Sequence, residues 1–406
     1  MSVIIIIGDG MADEPIPQLK NRTPLEVAHT PYMNFLAFQG QNGQLKTVPD
    51  DYEVGSDTAT LSILGYQGEQ INQGRSAFEA ASLSIPVLQN EMVMRCNFIS
   101  IENDLITSFT ADHISTSESA ILIDSLNKHF QSESFQFHLG SSYRHIFVCQ
   151  GDNKQMSGTS PHNALMKKKE HLLLQAQTQE SSSLVSKLNR IIIESQEVLS
   201  QHPLNRQRLN QNKKPANAIS LWSPSFQPTI PPMQTFLPLH KGAVISAIPL
   251  IKGIGIYAGL DVIDVPGATG SINTNYKGKA TAAIEALKTN DFVLLHVEAC
   301  DEAAHDGNHN LKIKAIENID QYIIGPIYEA TKQWSNPPII TILPDHITYS
   351  LQKIHLKGSV PFLIYHSMLS KDKVNFYDEQ SALSGLYNFT KGSDLIRFLF
   401  RLNKQF

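Results

Sequence analysis

Residues 3–7 are five consecutive apolar positions, Val-Ile-Ile-Ile-Ile, and the run stops at Gly8-Asp9-Gly10. A short β-branched run with no polar alternation predicts a strand covered on both faces, as in a parallel sheet. Asp9 then falls at the carboxyl end of that strand, where open α/β sheets present their ligands. Thr23-Pro24-Leu25-Glu26 predicts a helix start, with Thr23 as N-cap and Pro24 in the first helical position. Residues 55–66 read as a loop feeding a short helix, with Ser56 or Asp57 near its start.

From about residue 92 to 175 the pattern changes. Short candidate strands at Met92–Ile99, Phe135–Leu139 and His145–Cys149 alternate with polar turns, and Ser117–Phe130 has helical spacing. This reads as an α+β unit of its own. Ser181–Leu199 predicts a helix, with apolar Leu184, Val185, Leu188, Ile191, Ile192 and Val198. Gln201–Ala216, rich in Asn, Gln, Lys and Arg, predicts an exposed loop or linker. Strand patterns then resume at Ala218–Trp222, Ala243–Ala247, Asp261–Val265, Phe292–Val297 and Ile339–Leu343. Helices are expected at Ala280–Lys288 and Leu311–Glu329. Alternating strands and helices predict an α/β fold, a mainly parallel sheet covered by helices on both faces. The simplest division is a core of residues 1–91 and 216–406 with an inserted α+β domain at 92–215.

Composition narrows the function classes. The chain has 406 residues, 41% hydrophobic and 17% charged, so it can bury sizeable cores and is not a disordered protein. Thirty-three basic against 38 acidic residues leave a net charge of −5. No basic excess argues for nucleic acid or an anionic membrane as partner, so an anionic substrate needs a local cluster of donors. Cys96, Cys149 and Cys300 are odd in number and far apart, which fits buried thiols in a reducing compartment. The N-terminus lacks a basic start and a long apolar core, and no apolar run approaches the ~20 residues of a membrane helix. A soluble, cytoplasmic protein is expected.

The strongest chemical signal is Glu298-Ala-Cys-Asp301-Glu302-Ala-Ala-His305-Asp306, directly after the Phe292–Val297 strand. Asp301 and His305 are four apart, hence on one face if a helix begins there, and together make a plausible metal corner. Leu343-Pro-Asp345-His346 follows another strand, with His355 nine residues on. Asp9 is the third strand-end acid. Each alone reads as easily as a helix cap or polar turn. Together they supply three Asp and two or three His, enough for two divalent cations. Mixed oxygen and nitrogen donors suit Mn²⁺ or Zn²⁺ better than Ca²⁺. Two adjacent cations clamp an in-line displacement at phosphorus, which also needs a nucleophile. Ser56, in Gly55-Ser56-Asp57-Thr58, is the candidate, against a simple helix-capping role. His296 alternates with core residues and reads as structural, and Trp222 reads as packing.

Several stretches, in order along almost the whole chain, resemble the archaeal-type cofactor-independent phosphoglycerate mutases of the alkaline phosphatase superfamily. They include Gly8-Asp9-Gly10, Gly55-Ser56-Asp57-Thr58-Ala59, Gly74-Arg75-Ser76-Ala77-Phe78-Glu79-Ala80 and His113-Ile114-Ser115-Thr116. Further matches are Tyr143-Arg144-His145, Ser160-Pro161-His162, Thr274-Asn275-Tyr276-Lys277-Gly278-Lys279, His296-Val297-Glu298-Ala299, Asp301-Glu302-Ala303 with His305, and Asp345-His346. The resemblance implies an alkaline-phosphatase-like core holding two metals, most naturally Mn²⁺, with Zn²⁺, Co²⁺ and Mg²⁺ as alternatives. Asp301, His305 and His355 would hold one ion, and Asp9, Ser56, Asp345 and His346 the other. Ser56 would take up the phosphoryl group. The inserted domain would close over a small phosphorylated acid, with His113, Arg144, His145 and His162 as binding candidates and Arg75 contributed from the core side. Lys277 and Lys279 could also face an anion.

Three segments depart from the family pattern. Pro-His-Asp becomes Pro161-His162-Asn163, Trp-Gly-x-Gly becomes Trp222-Ser223-Pro224-Ser225, and Ala-Gly-His becomes Ala111-Asp112-His113. They bear on which acid fits, not on the phosphoryl chemistry. The implied activity is interconversion of 3- and 2-phosphoglycerate through a phosphoserine. The rivals are a related phosphoryl-transfer enzyme (homoserine kinase or phosphatase) and a non-catalytic metal-binding protein.

Overall fold

The computed structural model describes residues 2–131, 134–151 and 155–404. They form two compact units: residues 1–72 with 229–406, and residues 73–228. Among the described residues no helix is long and apolar enough to cross a membrane.

The first unit is built on an eight-stranded sheet. In spatial order its strands are Asp261–Val262, Gly242–Ile245, Phe292–Val297, Val3–Gly8, Ile339–Leu343, Val360–Tyr365, Gln41–Leu45 and Tyr387–Phe389. The first five are mutually parallel. Val360–Tyr365 runs antiparallel to both its neighbours, so the sheet is mainly rather than wholly parallel. All six residues of Val3–Gly8 are buried, as the unbroken apolar run predicts. Ile4 and Ile6 share one core with Ala280 and Ala283 of helix Tyr276–Leu287 and with Ala315, Ile316 and Ile319 of helix His309–Ile319.

Register is what builds the site. Gly8 aligns with Val297, and Ile7 aligns with both His296 and Leu343. The three central strands therefore end at nearly one level, and the residues just beyond them (Asp9, Glu298 and Asp345) meet at one edge of the sheet. Thr23 caps helix Pro24–Val27 in a full capping box with Glu26, as expected from the sequence.

The helix expected over Leu311–Glu329 is not continuous. It runs as an α-helix over His309–Ile319, widens to a π-turn at Asp320–Ile324, and resumes over Gly325–Thr331. Pro326 has no N–H to donate, and a π-turn accommodates the lost bond. Asp320, at the start of the π-turn, accepts from the backbone N–H groups of Tyr32 (3.2 Å) and Met33 (2.7 Å). It thus satisfies the start of helix Pro31–Gln39, which has no side-chain cap from Thr30.

The second unit is an antiparallel sheet with helices, the α+β texture read from the sequence. Strand Glu91–Glu102 pairs with Leu105–Ser108, Arg144–Gln150 and Ala218–Ser225, and Phe135–Ser141 pairs with Arg144–Gln150. Helices Thr116–His129 and Ser182–Gln201 pack on it through Leu122, Leu126, Leu188 and Ile191. The unit is wider than 92–215. Helix Arg75–Ser82 packs Ala77 and Ala80 on Val93, Ile146 and Val148, and Ala218–Ser225 is a strand of its sheet. Arg75 therefore belongs to this unit rather than to the core.

Gln201–Ala216 is not an exposed linker. It contains helix Pro203–Asn210, and Asn205 and Arg208 are buried. The Asn205 amide donates to the Leu199 and Ala216 carbonyls and accepts from the Ala216 N–H. Arg208 donates to the carbonyls of Ala111 (2.6 Å) and Lys214 (3.1 Å) and to Glu118 (2.7 Å). Polar composition misleads here because these side chains are the internal partners of loop backbone.

Candidate active site

The candidate metal ligands all lie in the first unit, and the fold brings all seven together. Asp9 follows strand Val3–Gly8 and is fully buried. Asp301 and His305 lie on the short helix Ala299–His305, with His305 Nε2 3.3 Å from Asp301 Oδ2. Asp345 and His346 follow strand Ile339–Leu343, and His355 lies in the hairpin strand Ile354–Leu356 that pairs with Ile347–Tyr349. Ser56 is the first residue of helix Ser56–Ile63. The N-cap is Gly55, so the Ser56 hydroxyl is not spent on capping. It lies 3.3 Å from His346 Nε2 and is only 8% exposed.

Ligand atoms gather in three overlapping groups, each within 4.8 Å: Asp301 with His346 and His355, Asp9 with Asp345 and His346, and Asp9 with His296 and Glu298. His346 Nε2 is 3.5 Å from Asp9 Oδ1 and 3.3 Å from Asp345 Oδ2, and His355 Nε2 is 3.3 Å from Asp301 Oδ1.

Three observations fit this set to divalent cations. Asp9 Oδ1, Asp345 Oδ2 and Glu298 Oε2 are buried with no hydrogen-bond partner among the described residues, which is costly unless a cation meets them. Burial, and then the charges of Asp345, Glu298 and Asp301, push the Asp9 carboxyl well above the usual range, and burial raises Glu298 to about 7. A cation supplies the positive charge that would keep both ionised. Finally, the Nδ1 atoms of His305 and His355 donate to the carbonyls of Lys353 (3.0 Å) and Val54 (3.2 Å), so each ring presents Nε2. Those two Nε2 atoms face each other at 2.8 Å. Two opposed lone pairs are an arrangement that a shared cation explains.

The close approach behind Asp9 requires a glycine. At Gly10, φ is +58°, and a Cβ there would lie 2.4 Å from Thr348 Oγ1 and 2.6 Å from Asp301 Oδ1. Its N–H donates to Asp345 Oδ1 at 3.0 Å.

Sequence reasoning left two neighbours out of the ligand set. His296 is buried, as a structural residue should be, but its Nε2 lies 2.9 Å from Asp9 Oδ2. Glu298 directly follows a strand end, the same signal that singled out Asp9 and Asp345. Lys279 does not face solvent. It is buried, donates to the His296 carbonyl at 2.8 Å, and is lowered to about 8 by burial. Lys277 lies over the Tyr322 ring.

The other candidates lie in the second unit. His113 and Arg144 are exposed and meet through Tyr143: the His113 ring packs edge-on to it at 6.4 Å, and the Arg144 guanidinium lies over it at 5.0 Å. His162 is exposed, with its ring 6.4 Å from that of Trp222, and the Arg95 guanidinium lies over the Trp222 ring at 4.6 Å. Arg75 is the half-buried first residue of helix Arg75–Ser82. His145 is different. It is 2% exposed, packs edge-on to Phe98, accepts from the Gly140 N–H, and burial lowers its ring to about 3. It is placed as a core residue, unlike the exposed His113, Arg144 and His162.

The class defined by this fold and site is an enzyme with an α/β core whose strand ends carry candidate metal-binding groups around a serine. A family described as 2,3-bisphosphoglycerate-independent phosphoglycerate mutase matches residues 37–205. A mutase of that name from Methanosarcina acetivorans is 43% identical over 406 residues, 99% of this chain and all of the relative. A probable one from Geobacter sulfurreducens is 40% identical over 95% of this chain and 96% of its own length. Among solved structures, a protein from Pyrococcus horikoshii superposes with a TM-score of 0.82 at 29% identity, covering 100% of this chain and 98% of that one. A cofactor-independent phosphoglycerate mutase from Thermoplasma acidophilum superposes at 0.65 with 26% identity, covering 99% of both. The chain belongs to the 2,3-bisphosphoglycerate-independent phosphoglycerate mutases, a family of isomerases.

Proposed function

We propose that this chain interconverts 3-phosphoglycerate and 2-phosphoglycerate through a phosphoserine on Ser56, with two divalent cations, Mn²⁺ foremost. The observation that carries the reading is the placement of Ser56 Oγ, 3.3 Å from His346 Nε2, the imidazole that groups with buried Asp9 and Asp345. Asp301, His305 and His355 are assigned to one ion, and Asp9, Ser56, Asp345 and His346 to the other. Cations held there would lower the pKa of the serine hydroxyl and neutralise phosphoryl oxygens.

Ser56 Oγ, having lost its proton, attacks phosphorus. The bond from phosphorus to the substrate oxygen breaks, and that oxygen takes up a proton as glycerate. The other hydroxyl of glycerate then loses its proton and attacks the phosphoserine, which restores Ser56. No free bisphosphoglycerate is consumed. Water attack on the phosphoserine would instead release phosphate, so glycerate must be retained between the two transfers. Arg75, His113, Arg144 and His162 are proposed to contribute donors to the substrate's phosphate and carboxylate. Arg144 offers a planar bidentate fork suited to either anion.

The test is conversion of 3-phosphoglycerate with Mn²⁺ and no added bisphosphoglycerate, coupled to enolase, with inorganic phosphate followed in parallel. Conversion without phosphate release is expected. Phosphate release alone would make the enzyme a phosphatase and overturn the mutase reading.

A further inference from the structure

His305 and His355 have their Nδ1 protons fixed by backbone carbonyls, which can only accept. His346 does not. Its Nδ1 lies 3.1 Å from the Thr348 hydroxyl, a group that can donate or accept. The ambiguity is removed one bond further on. Thr348 Oγ1 is 2.7 Å from Asp301 Oδ1, and an ionised carboxylate only accepts. The hydroxyl proton therefore goes to Asp301, and the oxygen accepts from His346 Nδ1–H. This leaves Nε2 as the lone-pair atom facing Ser56, Asp9 and Asp345.

We propose that Thr348 is the positioning residue of the site. Its single hydroxyl fixes the metal-binding tautomer of His346 and the orientation of the Asp301 carboxylate, linking one ligand group to the other. The inference rests on the reading of these residues as a metal site. The Thr348 backbone is held without the hydroxyl. Its N–H donates to the Ala12 carbonyl (3.1 Å), and its carbonyl accepts from Lys312 Nζ (2.8 Å). Outer contacts of this kind typically change metal affinity about 10–100-fold.

The experiment uses the full chain in three forms, the parent, Thr348→Val and Thr348→Ser. The tautomer of His346 is read from long-range proton–nitrogen correlations of the metal-free protein at pH 8, with His346→Gln for assignment. Zn²⁺ affinity is read by competition with a chromogenic chelator. Expected results are an Nδ1–H tautomer in the parent and in Thr348→Ser, an appreciable Nε2–H population in Thr348→Val, and Zn²⁺ binding weakened about 10–100-fold in Thr348→Val alone. An unchanged tautomer in Thr348→Val, or Zn²⁺ affinity within twofold of the parent, would overturn the proposal. If Thr348→Val does not fold, Thr348→Ala takes its place under the same criteria. If Thr348→Ser behaves like Thr348→Val, methyl packing rather than the hydroxyl is responsible, and the proposal falls. A parent that binds no Zn²⁺ would refute the metal-site reading, while the tautomer measurement would still decide the role of the hydroxyl.

Discussion

The two units carry their candidate functional residues in opposite ways. In the first, Asp9, Asp301, Asp345 and His346 are buried at the ends of strands or on the helix that follows one, and further hydrogen bonds hold them in place. Behind them Lys312, fully buried, donates to Asp13 (2.8 Å) and to the carbonyls of Ala12 (3.0 Å) and Thr348 (2.8 Å), so all three ammonium protons are used. In the second unit His113, Arg144 and His162 are exposed, in a turn, at a strand end and in the short 3₁₀ helix Pro161–Ala164 respectively. His113 ends a run of three left-handed residues, Ala111, Asp112 and His113, with φ of 46°, 56° and 51°. Arg208 ties that run down through the Ala111 carbonyl. The contrast teaches a division of labour. On the proposed reading, chemistry that tolerates little displacement would be built on sheet ends, and recognition of the substrate would be left to exposed groups that can vary.

Several substitutions would sharpen or break this contrast. The largest effect is expected for Ser56→Ala. It should lower mutase activity by a factor on the order of 10⁴ or more, as loss of a nucleophile does, with an unchanged melting temperature. Full activity in that variant would end the phosphoserine reading. Lys312→Met leaves the Asp13 carboxylate buried without its partner. Breaking a buried pair costs about 3–5 kcal/mol, measurable as a lower urea midpoint, and a midpoint shift of a few tenths of a molar or less would show that Lys312 is not a keystone of the first unit.

Arg144→Ala removes a charged hydrogen-bond donor worth about 1.5–3 kcal/mol. It should raise KM on the order of 10–100-fold while metal content stays at the parent level. Lost metal with unchanged KM would reverse the assignment of the two units.

A smaller effect concerns pH. Burial alone would raise the Glu118 carboxyl, but hydrogen bonds from Ser115 and from Arg208 outweigh it and hold it at about 2, below its ordinary 4.5. A carboxylate depressed in the folded state contributes stability above pH 4.5 that is lost as pH falls towards 2. Thermal melts of Glu118→Gln should therefore lie below the parent near neutral pH and converge with it in acid. Parallel curves across that range would contradict the pairing.

The smallest effects are expected at Asp112 and Ser223. Both have positive φ, 56° and 54°, and both stand where the family pattern has glycine. Asp112→Gly and Ser223→Gly should each stabilise by up to about 1 kcal/mol, since a left-handed non-glycine residue carries a steric cost of that order. A lower melting temperature in either variant would mean that its side chain compensates for the strain.

Much of the first unit was legible from local pattern alone. An unbroken apolar run is the signature of a strand buried on both faces, so Val3–Gly8, Phe292–Val297 and Ile339–Leu343 could be read directly, and the acids beyond them followed. The second unit was harder because polarity there does not track exposure. Asn205 and Arg208 are polar and buried, and His145 is a titratable residue used as core. Its limits were also hidden, since Ala218–Ser225 pairs with a strand more than a hundred residues earlier.

By itself, then, the sequence determined which residues could do chemistry and that they would stand at strand ends, because side-chain type and hydrophobic period are local properties. Tertiary structure alone decided which of them meet. Register sets Asp9, Glu298 and Asp345 at one level, and the opposed Nε2 atoms of His305 and His355 depend on a hairpin folding back. The direction of the Thr348 hydroxyl depends on a carboxylate 47 residues away. Such relations rest on long-range backbone pairing, to which no local window of sequence is sensitive.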